Sequence, residues 1–305
     1  RHDTERLIPI RAVTADDREW ARTFLDEFSR KAVRPALKMA AREFQDVLRM
    51  VPGHAKAFAY EFVKSLTDAG TTYARYTIPD LMRMYFLRRV NMAMYYLFPP
   101  YLPPGQKPYC FFGLHTQPES SIDVIGSYFS DQIALITFIA RSIPVTHELY
   151  VKVHPTDVDG KSLSFYRKVS RIPAVRLIDF RADTRQLVVK ADIVFTLSGT
   201  VGYEAGLMGK PVVAFAKNFF NGLPTVRYCS DPTDLPNIIR ELLDKPGGLN
   251  RTLVLEYLAK LKAACFEGEV SRAWNGEQLS KMDLARLKST YLAIFGYFDN
   301  RNLEN

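Results

Sequence analysis

Apolar and polar positions recur with two different periods along this chain, and the change of period divides it. Over residues 15–50, Trp20, Phe24, Phe28, Leu37, Phe44, Val47 and Leu48 fall at broadly helical spacing with Pro35 among them, which predicts two helices or one kinked helix. Residues 54–68 and 78–97 repeat the helical period, and no strand pattern of comparable strength precedes residue 105. Four prolines within residues 98–105 stop the helical pattern, because proline has no N–H to donate and its ring collides with the preceding turn. A domain boundary is expected there.

Beyond that segment short apolar runs at 109–114, 148–153, 175–178, 193–197, 212–215 and 226–229 alternate with helical stretches at 122–143, 162–170, 184–190, 200–208 and 235–243. Short, continuously apolar strands separated by helices predict a parallel sheet covered on both faces, an α/β, Rossmann-like doubly wound fold. Residues 251–264 and 278–298 return to the helical period and are expected to pack back onto the first part of the chain. The predicted organisation is a mainly helical region at 1–105, a Rossmann-like domain at 106–248 and C-terminal helices at 249–305.

Composition narrows the class without naming a chemistry. A chain of 305 residues, 47% hydrophobic and 24% charged, is long enough for two domains and too apolar to be disordered. Its formal charge of +8 fits a nucleotide, nucleic acid or acidic lipid partner, or only a basic surface. The basic residues are dispersed, so nucleic acid is not expected. Cys110, Cys229 and Cys265 are too few and too far apart for a disulfide framework or a zinc site. They point to a reducing, cytoplasmic setting and no bound metal. No run of about 18 apolar residues is present to span a bilayer, and the first residues lack a signal-peptide core. A start at Arg1 without Met suggests a trimmed chain. Residues 81–89 interleave Met82, Met84, Tyr85 and Phe86 with Arg83, Arg88 and Arg89. They read either as a core-facing helix with snorkelling arginines or as a surface for a membrane or a hydrophobic acceptor.

Candidate chemistry gathers where strands are expected to end, since ligands of open α/β sheets sit beyond the carboxyl ends of the strands. Ser198, Gly199 and Thr200 lie between a predicted strand and a predicted helix, where free amides and the helix dipole favour phosphate. Gly199 admits close approach, and the two hydroxyls either bind phosphate or cap the helix. Glu204 follows one turn later, placed to hold ribose hydroxyls or merely to sit well in the helix dipole. In Tyr150-Val151-Lys152-Val153-His154-Pro155, Lys152 and His154 fall on one side of a strand end, and Pro155 stops the strand. Both side chains are placed for one phosphate.

His115-Thr116-Gln117-Pro118-Glu119 leaves the first strand of the same domain. Glu119 is a candidate general base or nucleophile, or simply the start of the next helix. Gln117 and Asp131 are secondary candidates, together with Gln132. The loop at 217–224 either closes over a base or sugar with Phe219 and Phe220 or uses them for packing. GxGxxG, Walker A and HExxH patterns are absent from the sequence, against a standard dinucleotide, P-loop or zincin site.

Together, Gln117-Pro118-Glu119, the 150–155 segment and residues 198–215 resemble the capsular polysaccharide biosynthesis family, which includes bacterial β-Kdo transferases, over about residues 109–245. The resemblance implies a GT-B glycosyltransferase half that holds a nucleotide sugar, CMP-Kdo or similar, as substrate without cofactor or metal. It implies donor-phosphate contacts from Lys152 and His154 with help from Ser198 and Thr200, in a nucleotide site that also includes Pro155 and Gly199, a ribose contact from Glu204, and Glu119 nearest the anomeric carbon. The implied partners are a glycan or glycolipid acceptor and the inner face of a membrane. Residues 1–105 depart from that pattern, lacking the alternation of a first Rossmann domain. A CDP-linked polyol-phosphate transferase, a nucleotide-sugar epimerase and a non-catalytic nucleotide-binding component of a glycan assembly complex stay open as alternatives.

Overall fold

Six strands run parallel in a computed structural model that describes residues 11–33, 78–244, 248–265 and 280–302. The helix expected at 54–68 and the kink at Pro35 lie outside those residues. The chain divides into two units, one of Arg1–Glu27 with Arg251–Asn305 and the other of Phe28–Asn250.

In the larger unit the strands are β1 (Tyr109–Gly113), β2 (Glu148–Lys152), β3 (Val175–Ile178), β4 (Val194–Thr196), β5 (Val212–Ala214) and β6 (Val226–Tyr228). Their order is β3-β2-β1-β4-β5-β6, the doubly wound arrangement predicted from the apolar runs. Tyr109–Gly113 pairs in register with Glu148–Lys152, and Phe111 also pairs with Val194. The chain winds outward in one direction from β1 and then in the other from β4. That reversal opens a crevice at the carboxyl ends of these two strands.

Strand parity assigns the two faces. Cys110, Phe112, Leu149, Val151, Leu177, Phe195 and Val213 belong to one core cluster. With them pack Ile136 and Ile139 of α4 (Gln132–Ser142), Tyr166 and Val169 of α5 (Leu163–Ser170), and Leu235 and Ile239 of α8 (Leu235–Asp244). The alternate positions, among them Phe111, Gly113, Lys152 and Thr196, lie on the opposite face. That face is covered by α6 (Thr184–Lys190) and α7 (Thr200–Leu207).

The stretch 122–143, read as one long helix, is broken in three: α3 (Ser120–Asp123), a 3-10 turn at Ser127–Phe129, and α4. Gly126 lies so close to Leu197 that a Cβ there would overlap the leucine side chain. A few residues later Asp131 restarts the helix by accepting from the N–H groups of Ile133 and Ala134. Asp131 is therefore an N-cap and not a residue inside the helix.

Ahead of the sheet, α2 (Ile78–Leu97) is core-facing only toward its end, and the reading of residues 81–89 as a core-facing stretch is corrected, since none of the described residues from Met82 to Arg89 is buried. Tyr95 near its end is fully buried against Tyr101 and Tyr166, whereas Met82, Met84, Phe86 and Leu87 in its first half are exposed. The proline segment then runs along β3, where the Leu102 N–H donates to the Leu177 carbonyl at 2.9 Å.

In the smaller unit, α1 (Ala15–Val33) starts at a reciprocal cap. Asp17 accepts from the Thr14 N–H at 2.8 Å, while the Asp17 N–H donates to Thr14 Oγ1 at 3.3 Å. Arg11 grips the same carboxylate through two hydrogen bonds of 2.6 and 2.8 Å and, as the main cause, holds it well below the usual range. The remaining helices of this unit are α9 (Arg251–Ala263) and α10 (Lys281–Asn302).

Candidate functional site

A cleft of about 280 Å³ opens at the reversal point of the sheet. Gly113 and His115 reach it from β1, Lys152, His154 and Pro155 from β2, and Gly199, Thr200 and Glu204 from the start of α7. Among the residues singled out from the sequence, Lys152, His154, Pro155, Gly199, Thr200 and Glu204 are thus brought together.

Gly199 is the N-cap of α7, in extended conformation, and no side chain caps the helix. Thr196 Oγ1 takes the Gly199 N–H at 3.0 Å, and the Ser198 hydroxyl donates to the Ser121 carbonyl, also at 3.0 Å. The capping alternative for Ser198 and Thr200 is therefore not what the fold uses. The N–H groups of Thr200 and Val201, first in the helix, have no carbonyl one turn back to bond. They stand at the cleft with the positive end of the helix dipole.

Lys152 is buried, and its ammonium donates to the Phe180 carbonyl at 2.9 Å. Burial pushes its pKa down to about 8, against the pull of Asp179 and Asp183. His154 is held at one nitrogen: Nδ1 accepts the Thr156 N–H at 3.3 Å and lies 2.9 Å from Thr156 Oγ1 and 3.3 Å from Thr116 Oγ1. An acceptor Nδ1 places the proton of the neutral ring on Nε2. Burial is the main cause lowering the pKa of His154, helped by Lys152 and opposed by Asp157 and Glu119. Glu204 keeps an exposed surface, yet partial burial by its surroundings pushes its carboxyl up, with Arg185 pulling the other way.

The other candidates, Gln117, Glu119, Asp131, Gln132, Ser198, Phe219 and Phe220, lie outside the lining of the cleft. Ser198 is engaged with Ser121, and Asp131 caps α4. Gln117 is a brace: its amide donates to the Ser130 carbonyl at 2.9 Å and accepts from Gln132 at 2.7 Å. Glu119 precedes α3 with its side chain exposed, and it reaches the site as a charge felt by His154. In the loop after β5, Phe220 is buried, while Phe219 is exposed with its ring 5.2 Å from that of Tyr203. Cys110 and Cys229 are buried thiols pushed up to about 12 and about 11, chiefly by burial, which suits packing and not nucleophilic attack. Among the described residues no group of three or more His, Cys, Asp or Glu side chains is placed to hold a metal.

His115 received no role from the sequence. Its backbone is clamped by the buried Gln132, whose Oε1 accepts the His115 N–H at 2.8 Å and whose Nε2 donates to the His115 carbonyl at 3.0 Å. Burial, reinforced by His154 and Lys161, pushes the His115 imidazole down from 6.5 to about 4. The unfolded chain then binds a proton between those values that the folded chain refuses, so stability rises with pH across the window and is lost as pH falls through it. Denaturant midpoints are expected to drop between pH 7 and pH 4.5, and the drop to shrink in His115→Gln. An unchanged slope in that variant would rule out this source of acid sensitivity.

Residues 98–225 match the family described as capsule polysaccharide biosynthesis protein, in line with the resemblance carried by the sequence motifs. No curated protein matches the chain. Among solved structures it is similar to a β-Kdo 2,4 transferase, KpsC of Thermosulfurimonas dismutans, with 19% identity, a TM-score of 0.35, and coverage of 62% of this chain and 57% of that one. It is also similar to HepE of Anabaena in complex with UDP-glucose, with 20% identity, a TM-score of 0.32, and coverage of 52% and 44%. The wall teichoic acid polymerase TagF aligns at 14% identity and a TM-score of 0.29, over 72% of this chain and 52% of that one. The chain thus spans about half the length of these structures. No described helix is long and apolar enough to cross a membrane.

Proposed function

From the family matched by residues 98–225 and the cleft those residues frame, we propose that the chain is a glycosyltransferase working on a surface polysaccharide or glycolipid. The observation that carries the reading is the uncapped N-terminus of α7 facing Lys152 and His154 across the reversal point of a parallel sheet. The donor is a nucleotide sugar, CMP-linked Kdo or a close analogue. Helix amides, Thr200, Lys152 and His154 hold its phosphate, and Glu204 takes the ribose hydroxyls. As the acceptor hydroxyl attacks the anomeric carbon, the bond from that carbon to the phosphate oxygen breaks. The electron pair leaves with the phosphate, and the acceptor proton passes to Glu119. Positioning and electrostatics supply most of the rate, with the Lys152 ammonium, the His154 imidazole and the helix amides taking the place of a metal ion. The exposed apolar and cationic first half of α2 supports an acceptor presented at a cytoplasmic membrane surface.

Calorimetric titration with CMP, CDP and UDP tests the reading. At least one nucleotide is expected to bind the intact protein, and Glu204→Ala to weaken it about tenfold through the loss of a charge-assisted hydrogen bond. If none binds, the reading fails. Transfer of polyol phosphate from a CDP-linked donor, isomerisation of a nucleotide sugar without acceptor, or binding with no turnover would each replace glycosyl transfer by the corresponding alternative.

A further inference from the structure

His115 lines the cleft although only 8% of its surface is exposed. Nε2 accepts the Leu197 N–H at 3.2 Å, which leaves the proton of the neutral ring on Nδ1. Among the described residues no acceptor meets that N–H. The edge of the ring carrying it faces the N-cap of α7: a Cβ on Gly199 would stand 2.9 Å from His115 Cε1 and 3.4 Å from Nδ1. A glycine is therefore needed where any side chain would crowd the free N–H. The helix is eight residues long, and its own first amides open into the same space. Nδ1 is not among the fully buried atoms left without a partner, so its N–H stays reachable from the cleft, where a ligand acceptor can take it.

We propose that His115 is a ligand-binding residue, a neutral donor whose Nδ1–H bonds a phosphoryl oxygen held at the N-terminus of α7. This rests on the nucleotide-site reading above and specifies which atom of that ligand the ring takes. The contact pairs a fixed imidazole with the helix amides across Gly199. It recognises the phosphoryl group itself and leaves the base and the sugar to other residues.

Two near-isosteric variants separate this role from a bracing one. His115→Gln places an acceptor near the position of Nε2, keeping a partner for the Leu197 N–H, and leaves nothing at Nδ1. His115→Asn places an N–H near Nδ1 and loses the Leu197 acceptor. Nucleotide affinity is expected to fall about tenfold in the glutamine variant and within about threefold in the asparagine variant, with the thermal midpoint falling more in the asparagine variant. Cytidine or uridine, lacking phosphate, is expected to bind both variants equally. Equal nucleotide affinity for intact protein and His115→Gln overturns the inference and leaves the nucleotide site standing.

The Nδ1–H resonance of the intact protein, followed by nitrogen-edited NMR during addition of inorganic pyrophosphate, supplies a readout independent of nucleotide. A shift on pyrophosphate without nucleotide binding keeps His115 as a phosphoryl donor and removes the nucleotide reading. No shift with pyrophosphate or with a nucleotide that calorimetry shows to bind overturns the inference and leaves the nucleotide site standing.

Discussion

Replacing His154 by alanine is expected to lower kcat by about 10²–10³-fold, the usual loss when one donor to a developing negative charge is removed. The side chain is set up for that task by its surroundings. Thr156 supplies an N–H to Nδ1, with the hydroxyls of Thr116 and Thr156 beside it, so rotation of the ring is resisted and Nε2–H is left for the cleft. Burial keeps the ring below its ordinary pKa, so near neutral pH it donates a hydrogen bond without carrying a full charge. Binding of the nucleotide alone is expected to weaken far less than turnover, because the contact strengthens as the phosphate departs. Steady-state rates with the donor that the intact protein accepts, beside calorimetry with its nucleotide, measure the two effects separately. Turnover within threefold of the intact protein would remove His154 from the machinery.

A second large effect is expected from a methyl group placed outside the cleft, in Gly202→Ala. A Cβ on Gly202 would lie 2.5 Å from Thr196 Cγ2 and 3.2 Å from the Phe220 ring. Thr196 is fully buried and Phe220 is 1% exposed, so neither has room to withdraw. Helix α7 must then lift from β4, at a cost of about 1–3 kcal/mol for overpacking. The lift moves the Thr200 and Val201 amides relative to Lys152 and His154, so nucleotide affinity falls together with the thermal midpoint. Gly248→Ala is the control, since a Cβ there meets nothing within 4 Å. A Gly202→Ala protein that melts and binds like its parent would show that the helix is not held by this contact.

The sequence exposes the sheet readily and the site only in part, for different physical reasons. The inner strands β2, β1, β4 and β5 are short, mainly apolar runs, because burial on both faces leaves a parallel strand little polar to show, whereas the outer strands carry Arg176 in β3 and the exposed Arg227 in β6. The break between Asp123 and Gln132 is only half visible: Gly126, Ser127, Ser130 and the N-cap Asp131 weaken a helix there, but Val124, Ile125, Tyr128 and Phe129 keep the apolar pattern running through them. The close packing of Gly126 on Leu197, with no room for a Cβ, is seen only in the folded chain. Strand parity correctly puts Lys152 and His154 on one side, and both line the cleft. Parity says nothing of loops, so it does not separate Gln117 and Ser198, whose side chains brace neighbouring turns, from residues that face the cleft. His115 is illegible in the same way. What distinguishes it, the Leu197 N–H on one ring nitrogen and Gly199 beside the other, comes from beyond a different strand.

The proline segment also determines how the sheet ends. β3 is an outermost strand, and its outward Leu177 carbonyl is taken by the Leu102 N–H, while Arg176 reaches the Pro103 carbonyl at 3.1 Å. Four prolines in that segment cannot donate, so it occupies the edge without offering a regular row of amides to a further strand. The β3 edge of the sheet is thereby protected against edge-to-edge association with another copy, a hazard for any unprotected outer strand.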